Sequence, residues 1–341
     1  MGDGRHRAGG GGPLGLRAGP SLRVLALALG LSGTGVPNAS GQDLSDLVAS
    51  CAGSGSPALV APCQNTVLAV RAIRGGISVA DAMGSDLAGT ASTLGRRVGR
   101  TPRVSLDARF RLAIFDMPDF LTDGAASPGK TTVVAYGVKA TAAAGVLDGF
   151  SLLPAVGGFL SLDVLASLNV VFLQEEDGFT NDEGLISVGG RLGLLRESFT
   201  MPGVTVAVMQ HFGEDLGWGE IGTTGAQLDT DVVTTSVRAT VGKDLLALGL
   251  LAGAGWDWQR GEFSVRVADP GAPGGEGTLA AQEMTTRRPV YYVGASMTHL
   301  VFQMSLEAGW AGGFDDLPGY DGEYDPGRVT TFANLALRLT I

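Results

Sequence analysis

The sequence has few charged residues and, beyond residue 41, no long apolar run. Of its 341 residues, 17% are charged, 45% are hydrophobic and 54 are glycine. A composition this apolar excludes an intrinsically disordered chain. The lack of a run of 18 or more apolar residues argues against membrane-spanning helices. The apolar residues are instead divided among short segments, and their spacing within those segments decides the fold class.

Cysteine and histidine, on which much metal and nucleophile chemistry depends, are scarce. Cys51 and Cys63 have neither CxxC spacing nor a neighbouring histidine, so we predict a structural disulfide between them if the chain is exported. Beyond residue 41 the histidines are His211, interpreted as a solvated residue at the rim of the fold, and His299, in a tight turn. No G-x-S-x-G motif, zinc pattern or nucleotide fingerprint occurs. We therefore predict no catalytic, metal-binding or cofactor-binding residue, and no enzyme.

Basic residues are outnumbered by acidic ones, 24 to 34, and the formal net charge is −10. Nucleic acid is therefore not expected as a partner, because phosphates need a basic surface. Residues 1–41 are predicted to be a signal peptide, with a short apolar core at 24–31 and a small-x-small cleavage site at 39–41. Its basic residues are Arg5, Arg7, Arg17 and Arg23. Cleavage would change the net charge to −13, because four arginines and one aspartate leave.

Residues 42–100 have apolar residues at helical spacing. We predict two or three short helices, joined by the segment between the cysteines and ended by Gly75 and Gly76. Two interpretations stay open: a disulfide-tied cap on the periplasmic side, or a plug for a barrel mouth.

From residue 103 the apolar residues alternate with polar ones, the period of strands with one apolar and one polar face. The final stretch, 331–341, places Leu335, Leu337, Leu339 and Ile341 on one face. The predicted strands are 104–114, 131–142, 158–172, 185–195, 204–212, 231–241, 246–258, 290–297, 300–310 and 331–341. Segments 150–153 and 263–267 would make twelve. Long and short connections mostly alternate between them, as outer loops and inner turns do in bacterial barrels.

This C-terminal strand resembles the last strand of bacterial outer-membrane β-barrel proteins, an alternating strand that closes the barrel. The resemblance implies an all-β fold: an antiparallel up-and-down transmembrane β-barrel of about ten strands spanning 101–341. It also implies a Gram-negative outer-membrane location, contact with lipid and lipopolysaccharide, and insertion by the barrel-assembly machinery. The competing fold is a soluble β-sandwich or barrel such as a lipocalin, with its apolar faces turned inward.

If the apolar faces meet lipid, the polar faces line the lumen. The predicted lumen-lining residues are Asp107, Arg109, Arg111, Lys139, Asp163, Arg191, Arg238, Asp257, Glu307 and Arg338. Six of these ten are positive and four negative. Buried charges of both signs require partners, so we interpret them as a packed, ion-paired layer in preference to a pore with a mild anion preference.

The expected function is that of a passive, porin-like small-solute channel or a structural barrel. One alternative is a transporter for hydrophobic compounds, and a second is a barrel enzyme acting on lipid or peptide. The solute and the oligomeric state do not follow from the sequence.

Overall fold

The computed structural model of the protein describes residues 44–52, 60–96, 101–119, 129–151, 157–224, 226–268 and 276–341. The predicted signal peptide, residues 1–41, lies outside the described residues. Among the described residues, two helices precede the sheet: α1, Leu44–Ala52, and α2, Val60–Ala82. A short helix, α3, follows at Ile221–Thr224. None of the described helices is long and apolar enough to cross a membrane.

The strands have the alternating composition expected from the sequence. They are β1 Val104–Pro118, β2 Lys130–Leu147, β3 Ser161–Phe172, β4 Glu183–Leu195, β5 Gly203–Gly213, β6 Leu216–Trp218, β7 Ala226–Thr230, β8 Val233–Leu245, β9 Leu248–Ala268, β10 Glu276–His299, β11 Phe302–Ala311 and β12 Thr330–Thr340.

Ten of the described strands close into an antiparallel barrel. Successive strands pair in the order β1-β2-β3-β4-β5-β8-β9-β10-β11-β12, and β12 pairs with β1. The closing register joins Ala108 to Leu337 and Asp107 to Arg338. Strands β6 and β7 form a side hairpin that pairs with the end of β9. The all-β, ten-stranded antiparallel barrel expected from the sequence is therefore confirmed.

The outer face of the sheet carries exposed apolar side chains and the inner face carries buried polar ones, the reverse of a soluble barrel. On β12 the exposed fractions of Leu335 and Leu337 are 49% and 53%, whereas Asn334 is buried. On β3, Leu168 is 62% exposed, while Asp163 and Asn169 are buried. Apolar side chains facing out and polar ones facing in are the arrangement of a membrane barrel. The lipocalin-like alternative, which needs the reverse, does not fit.

The two ends of the barrel differ in their connections. One, which we call the short-turn end, carries the connections 148–160, 196–202, 246–247 and 300–301, together with the C-terminal Ile341. The other, which we call the long-loop end, carries the connections 119–129, 173–182, 214–232, 269–275 and 312–329.

Several predicted boundaries are wrong for identifiable reasons. Gly75 and Gly76 do not end a helix, because α2 continues through them to Ala82. A Cβ atom on Gly75 would collide with Phe314 and one on Gly76 with Phe115, so these glycines allow the helix to pack closely against both rings.

Further differences concern strands and turns. Segment 263–267 is the end of β9 instead of a separate strand, and Phe150 makes only an isolated bridge with Phe159. Two turns predicted at 242–244 and 298–299 lie instead at residues 246–247 and 300–301. Both strands extend past the polar residues that were predicted to form the turns. Strand β8 stays paired as far as Leu245, and β10 stays paired as far as His299.

Candidate functional site: the filled lumen

The barrel lumen is occupied by residues 60–96, which we call the inserted segment. At the long-loop end Arg71 Nη2 donates to the carbonyl of Asp315 over 2.6 Å. Midway, the Ser85 N–H donates to Glu307 over 2.9 Å. At the short-turn end Arg96 Nε donates to the carbonyl of Val146 over 2.6 Å. The chain therefore runs through the barrel from one end to the other before β1 begins.

Charged side chains of the wall hold the inserted segment by its backbone carbonyls. The last carbonyls of α2 have no partner within the helix, and cations near a helix C-terminus are favourable. Arg238 Nη2 donates to the carbonyl of Ala82 over 3.0 Å, and Arg111 Nη2 to that of Met83 over 2.8 Å. Further along, Arg191 Nη2 donates to the carbonyl of Ser92 over 2.8 Å.

Carboxylates of the wall accept from the backbone N–H groups of the same segment. Asp163 accepts from the N–H of Leu94 over 3.0 Å and also pairs with Arg191 over 2.8 Å. Asp107 likewise accepts from the N–H of Ala88 over 3.5 Å and pairs with Arg109 over 2.8 Å. Buried charges of this kind are tolerated because each has an opposite charge and hydrogen bonds. The wall and the inserted segment therefore form one polar network.

Asp81, at the end of α2, lies at the centre of that network. Its Oδ2 is 2.5 Å from His211 Nδ1, and its Oδ1 is 3.4 Å from Lys139 Nζ and 2.9 Å from Asn169 Nδ2. Arg111 Nη1 is 3.8 Å from the same Oδ1. Three strands, β1, β2 and β5, thus direct basic groups at one carboxylate of the inserted segment. The interpretation of His211 as a solvated rim residue is wrong, since its side chain is 2% exposed.

His211 also contacts two serines. Its Nε2 is 3.0 Å from Ser236 Oγ, and its Nδ1 is 2.8 Å from Ser187 Oγ. Asp81, His211 and Ser236 thus contact one another in the order carboxylate, imidazole, hydroxyl, which is the order found in serine hydrolases. Asp81, His211 and Ser236 are 0%, 2% and 1% exposed, however. A substrate could reach the hydroxyl only after the inserted segment had moved, and Asp81 would move with it.

Sequence reasoning missed several buried charges of the lumen. Glu183 is 0% exposed, and neither of its carboxylate oxygens has a hydrogen-bond partner among the described residues. It lies two residues before Leu185, so extending the alternation of β4 would have placed it on the inner face. Arg288 and Arg71 were missed too; their guanidinium carbons lie 4.5 and 4.9 Å from the centre of the Phe314 ring, a cation–π arrangement.

Burial raises the pKa of three titratable groups in the long-loop connections, Tyr324, Asp177 and Tyr320. Burial raises the pKa of Tyr324 to about 12, against the opposing effect of Arg71 and Arg288. Burial, and then the neighbouring Glu176, raise the pKa of Asp177 above its usual range. Tyr324 is therefore a neutral hydroxyl at any physiological pH.

The structure buries nine of the ten predicted lumen-lining residues, and only Arg338 is partly exposed. Asp257 pairs with Arg238 over 2.7 Å. Asp107 pairs with Arg109, so Arg338 is not its ion-pair partner, although the two are opposite in the register. No group of three metal ligands occurs among the described residues. Cys63 is buried in α2, but the side chain of Cys51 lies outside the described residues, so the disulfide stays a prediction.

Comparisons with known proteins find fold neighbours and nothing more specific. No protein-family model and no curated protein matches the sequence. The translocator domain of the autotransporter NalP from Neisseria meningitidis is 8% identical, with a TM-score of 0.40 over 80% of this chain and 96% of that one. The transport unit of the autotransporter AIDA-I from Escherichia coli is 7% identical, with a TM-score of 0.38 over 79% and 97%.

The outer-membrane protease OmpT from Escherichia coli is 9% identical, with a TM-score of 0.32 over 70% of this chain and 96% of that one. These neighbours differ in function, and at such values none of their functions transfers. The assignment depends on the closed antiparallel sheet, its apolar outer face and its polar lumen. On those grounds the chain has the fold of an outer-membrane β-barrel and resembles that class without belonging to a specific family.

Proposed function

We propose that the protein is an outer-membrane barrel closed at rest by its own inserted segment, and that small solutes pass only when this segment moves. Of the functions expected from the sequence, this one is a gated form of the small-solute channel. The burial of the inserted segment supports it most directly. Val67, Ile73, Ile77, Asp81 and Leu87 are at most 1% exposed, so the segment fills the space that an open porin leaves to water.

The charged residues of the barrel wall are compatible with a water-filled lumen. Arg109, Arg191 and Arg238 would face water if the segment left, and their charges would then be solvated instead of paired with its backbone. The stretch that follows α2 is held by hydrogen bonds, which water can replace at a lower cost than the apolar contacts of α2 with wall residues such as Phe115 and Phe263.

The path of the chain also bears on its placement in the membrane. In bacterial barrels the short turns face the periplasm and the long loops face outward. Helix α1 packs near Leu317 in the 312–329 connection, at the long-loop end. We therefore propose that α1 is presented at the outer surface, in place of the periplasmic cap that the sequence indicated. This is the plug interpretation of residues 42–100.

Neither alternative function has comparable support. The Asp81–His211–Ser236 contacts are enclosed, and they link the inserted segment to the wall, a role that requires no chemistry. For a transporter of hydrophobic compounds the lumen would need an apolar path, whereas the described lumen is crossed by charged residues from Asp163 to Arg288.

Disulfide locks test the proposal. In a variant with Cys51→Ser and Cys63→Ser, the pair Thr93→Cys and Ser161→Cys would tie the inserted segment to β3, because the two native hydroxyl oxygens are 2.5 Å apart. A second pair, Ser78→Cys and Thr234→Cys, replaces hydroxyls 3.1 Å apart and ties α2 to β8. Conductance in planar bilayers should show rare openings that oxidation of either pair abolishes and reductant restores.

A lock within the wall is the matched control. Ser105→Cys with Thr340→Cys joins β1 to β12, where the native oxygens are 3.2 Å apart, and leaves the inserted segment free. It should not change the openings. A large steady conductance that does not change when either segment lock is oxidised would show an open porin and overturn the proposal. Absence of conductance in the native protein and in every reduced variant would overturn solute passage and leave a structural barrel.

A further inference from the structure

The short-turn end carries a ring of exposed apolar side chains at its tips. Leu246 is 99% exposed, Phe199 95% and Leu300 85%. Phe150 and Ile341, at 69% and 57%, continue the ring on the other side of the barrel. Single exposed apolar residues are ordinary, but a set at successive turns of one rim marks an interaction surface.

Three leucines at this end have a backbone conformation that is rare for residues with a side chain. Leu246 and Leu300 are the first residues of two-residue turns and have φ values of +59° and +56°, and Leu160, which precedes β3, has +59°. Residues with a Cβ atom rarely adopt this left-handed region, where turns of soluble proteins use Gly, Asn or Asp. The turns therefore combine a disfavoured backbone conformation with an apolar side chain whose exposure to water is unfavourable.

Two ion pairs lie at the same end. Lys243 Nζ lies 3.6 Å from Glu197 Oε1 and donates to the carbonyl of Ser198. Glu197 Oε1 also accepts from the N–H of Asp244 over 2.5 Å. Arg196 lies 3.9 Å from Asp148. Such pairing is the arrangement expected where charges border on lipid.

The long-loop end has the opposite character. Glu175, Glu176 and Asp182 are exposed there, and the 312–329 connection contains further exposed acids. The two rims of one barrel therefore present different surfaces, one anionic and one apolar.

We infer that the short-turn rim is immersed in the inner leaflet of the membrane, with Phe199, Leu246 and Leu300 among the lipid chains. The inference rests on the membrane placement proposed above. The occupant is lipid because the rim is continuous with the lipid-facing belt: Leu246 leads into Leu248 and Leu250 on β9, which are 60% and 59% exposed. Likewise, Leu300 leads into Phe302 and Met304 on β11, each 49% exposed.

Site-directed fluorescence tests this inference. Single cysteines replacing Phe199, Leu246 or Leu300 in the Cys51→Ser, Cys63→Ser variant would carry an environment-sensitive fluorophore, with the barrel in phosphatidylcholine vesicles. Nitroxide-labelled lipid should quench all three sites strongly, and aqueous iodide only weakly. Leu337→Cys, in the middle of the belt, is the control for lipid contact, and Glu176→Cys is the control for water contact.

Each outcome is decisive. Iodide quenching of Leu246→Cys and Leu300→Cys as strong as that of Glu176→Cys would overturn the inference, provided that Leu337→Cys is still quenched by lipid. Protection from both quenchers would also overturn it and would indicate a second copy of the chain over the rim. If Leu337→Cys itself is not quenched by lipid, the membrane placement fails, whereas a failure of gating leaves this readout unchanged.

A second pair of variants separates lipid contact from turn strain. Asn is better suited than Leu to the left-handed region, so Leu246→Asn and Leu300→Asn should leave the barrel at least as stable in detergent. If the rim inserts into lipid, the same variants should fold into preformed vesicles several-fold more slowly, because a polar amide replaces an apolar tip. Unchanged insertion rates in both variants would contradict immersion.

Discussion

His211 on β5 and Asp81 at the end of α2 are in direct contact, with 2.5 Å between Nδ1 and Oδ2, and neither side chain is more than 2% exposed. The contact joins the wall of the barrel to the segment that fills it. Lys139 and Arg111 approach the same carboxylate from two other strands. Asp81 is therefore the residue through which the wall most directly holds the inserted segment in the lumen.

Asp81→Asn should loosen the inserted segment. Removing one charge from a buried ion-pair network typically costs about 3–5 kcal/mol, because the remaining charges stay desolvated. We expect more frequent openings in planar bilayers and faster labelling of a cysteine at position 93. The exposed Glu176→Gln variant removes the same charge from a loop and should change neither measurement. Native-like labelling of Asp81→Asn would show that this carboxylate does not hold the segment.

The two faces of β12 should respond differently to substitution. Leu337 is 53% exposed on the outer face, so Leu337→Arg should cost roughly 2–4 kcal/mol, the range for a basic residue facing lipid near the midplane. Arg338→Leu should cost less, because Asp107 keeps its ion pair with Arg109. Urea unfolding in lipid vesicles measures both. Equal effects of the two variants, or a native protein monodisperse without detergent, would contradict the assignment of faces.

Cys51 and Cys63 should be bonded to each other in protein purified from the cell envelope. Export into an oxidising compartment and the short loop between them favour the bond, which would contribute about 3 kcal/mol in the chain-entropy description. Mass spectrometry without reductant checks the prediction. Two alkylated thiols in that experiment would refute it.

Helix α1 and the two ends of the barrel can be assigned to a side of the membrane by labelling whole cells. In a cysteine-free variant, single cysteines at positions 176, 320 and 49 should react with an impermeant reagent, because they lie in long loops or on α1. Cysteines at 243 and 299 should not react. If position 49 is protected while 176 and 320 react, α1 is not at the outer surface and the threading direction is wrong.

Much of the barrel could be predicted from residue order, because a strand places alternate side chains on opposite faces whatever it pairs with. The alternation of β12 and β3 predicted which residues face outward. All ten strands were found, most with boundary errors of a few residues, but β9 ends ten residues later and β10 begins fourteen residues earlier than predicted. The alternation also assigned Asp163 and Arg191 to the face that points away from lipid, and this assignment needed no knowledge of which strands pair. The net charge of −10 and the lack of a long apolar run beyond residue 41 led us to expect neither a nucleic-acid partner nor helical spans.

The tertiary structure alone decided what lies inside the barrel. Helical spacing in residues 60–87 indicates a helix, but it does not show whether the helix packs beside the barrel or within it. In either place the apolar face of the helix would be buried. Gly75 and Gly76 could be assigned as close-packing positions only once Phe115 and Phe314 were placed against them. Asp81 and His211 are 130 positions apart in the sequence, and no local pattern couples such residues. Their contact exists because closing the sheet creates an enclosed polar wall, and buried charges on that wall require partners that the inserted segment supplies.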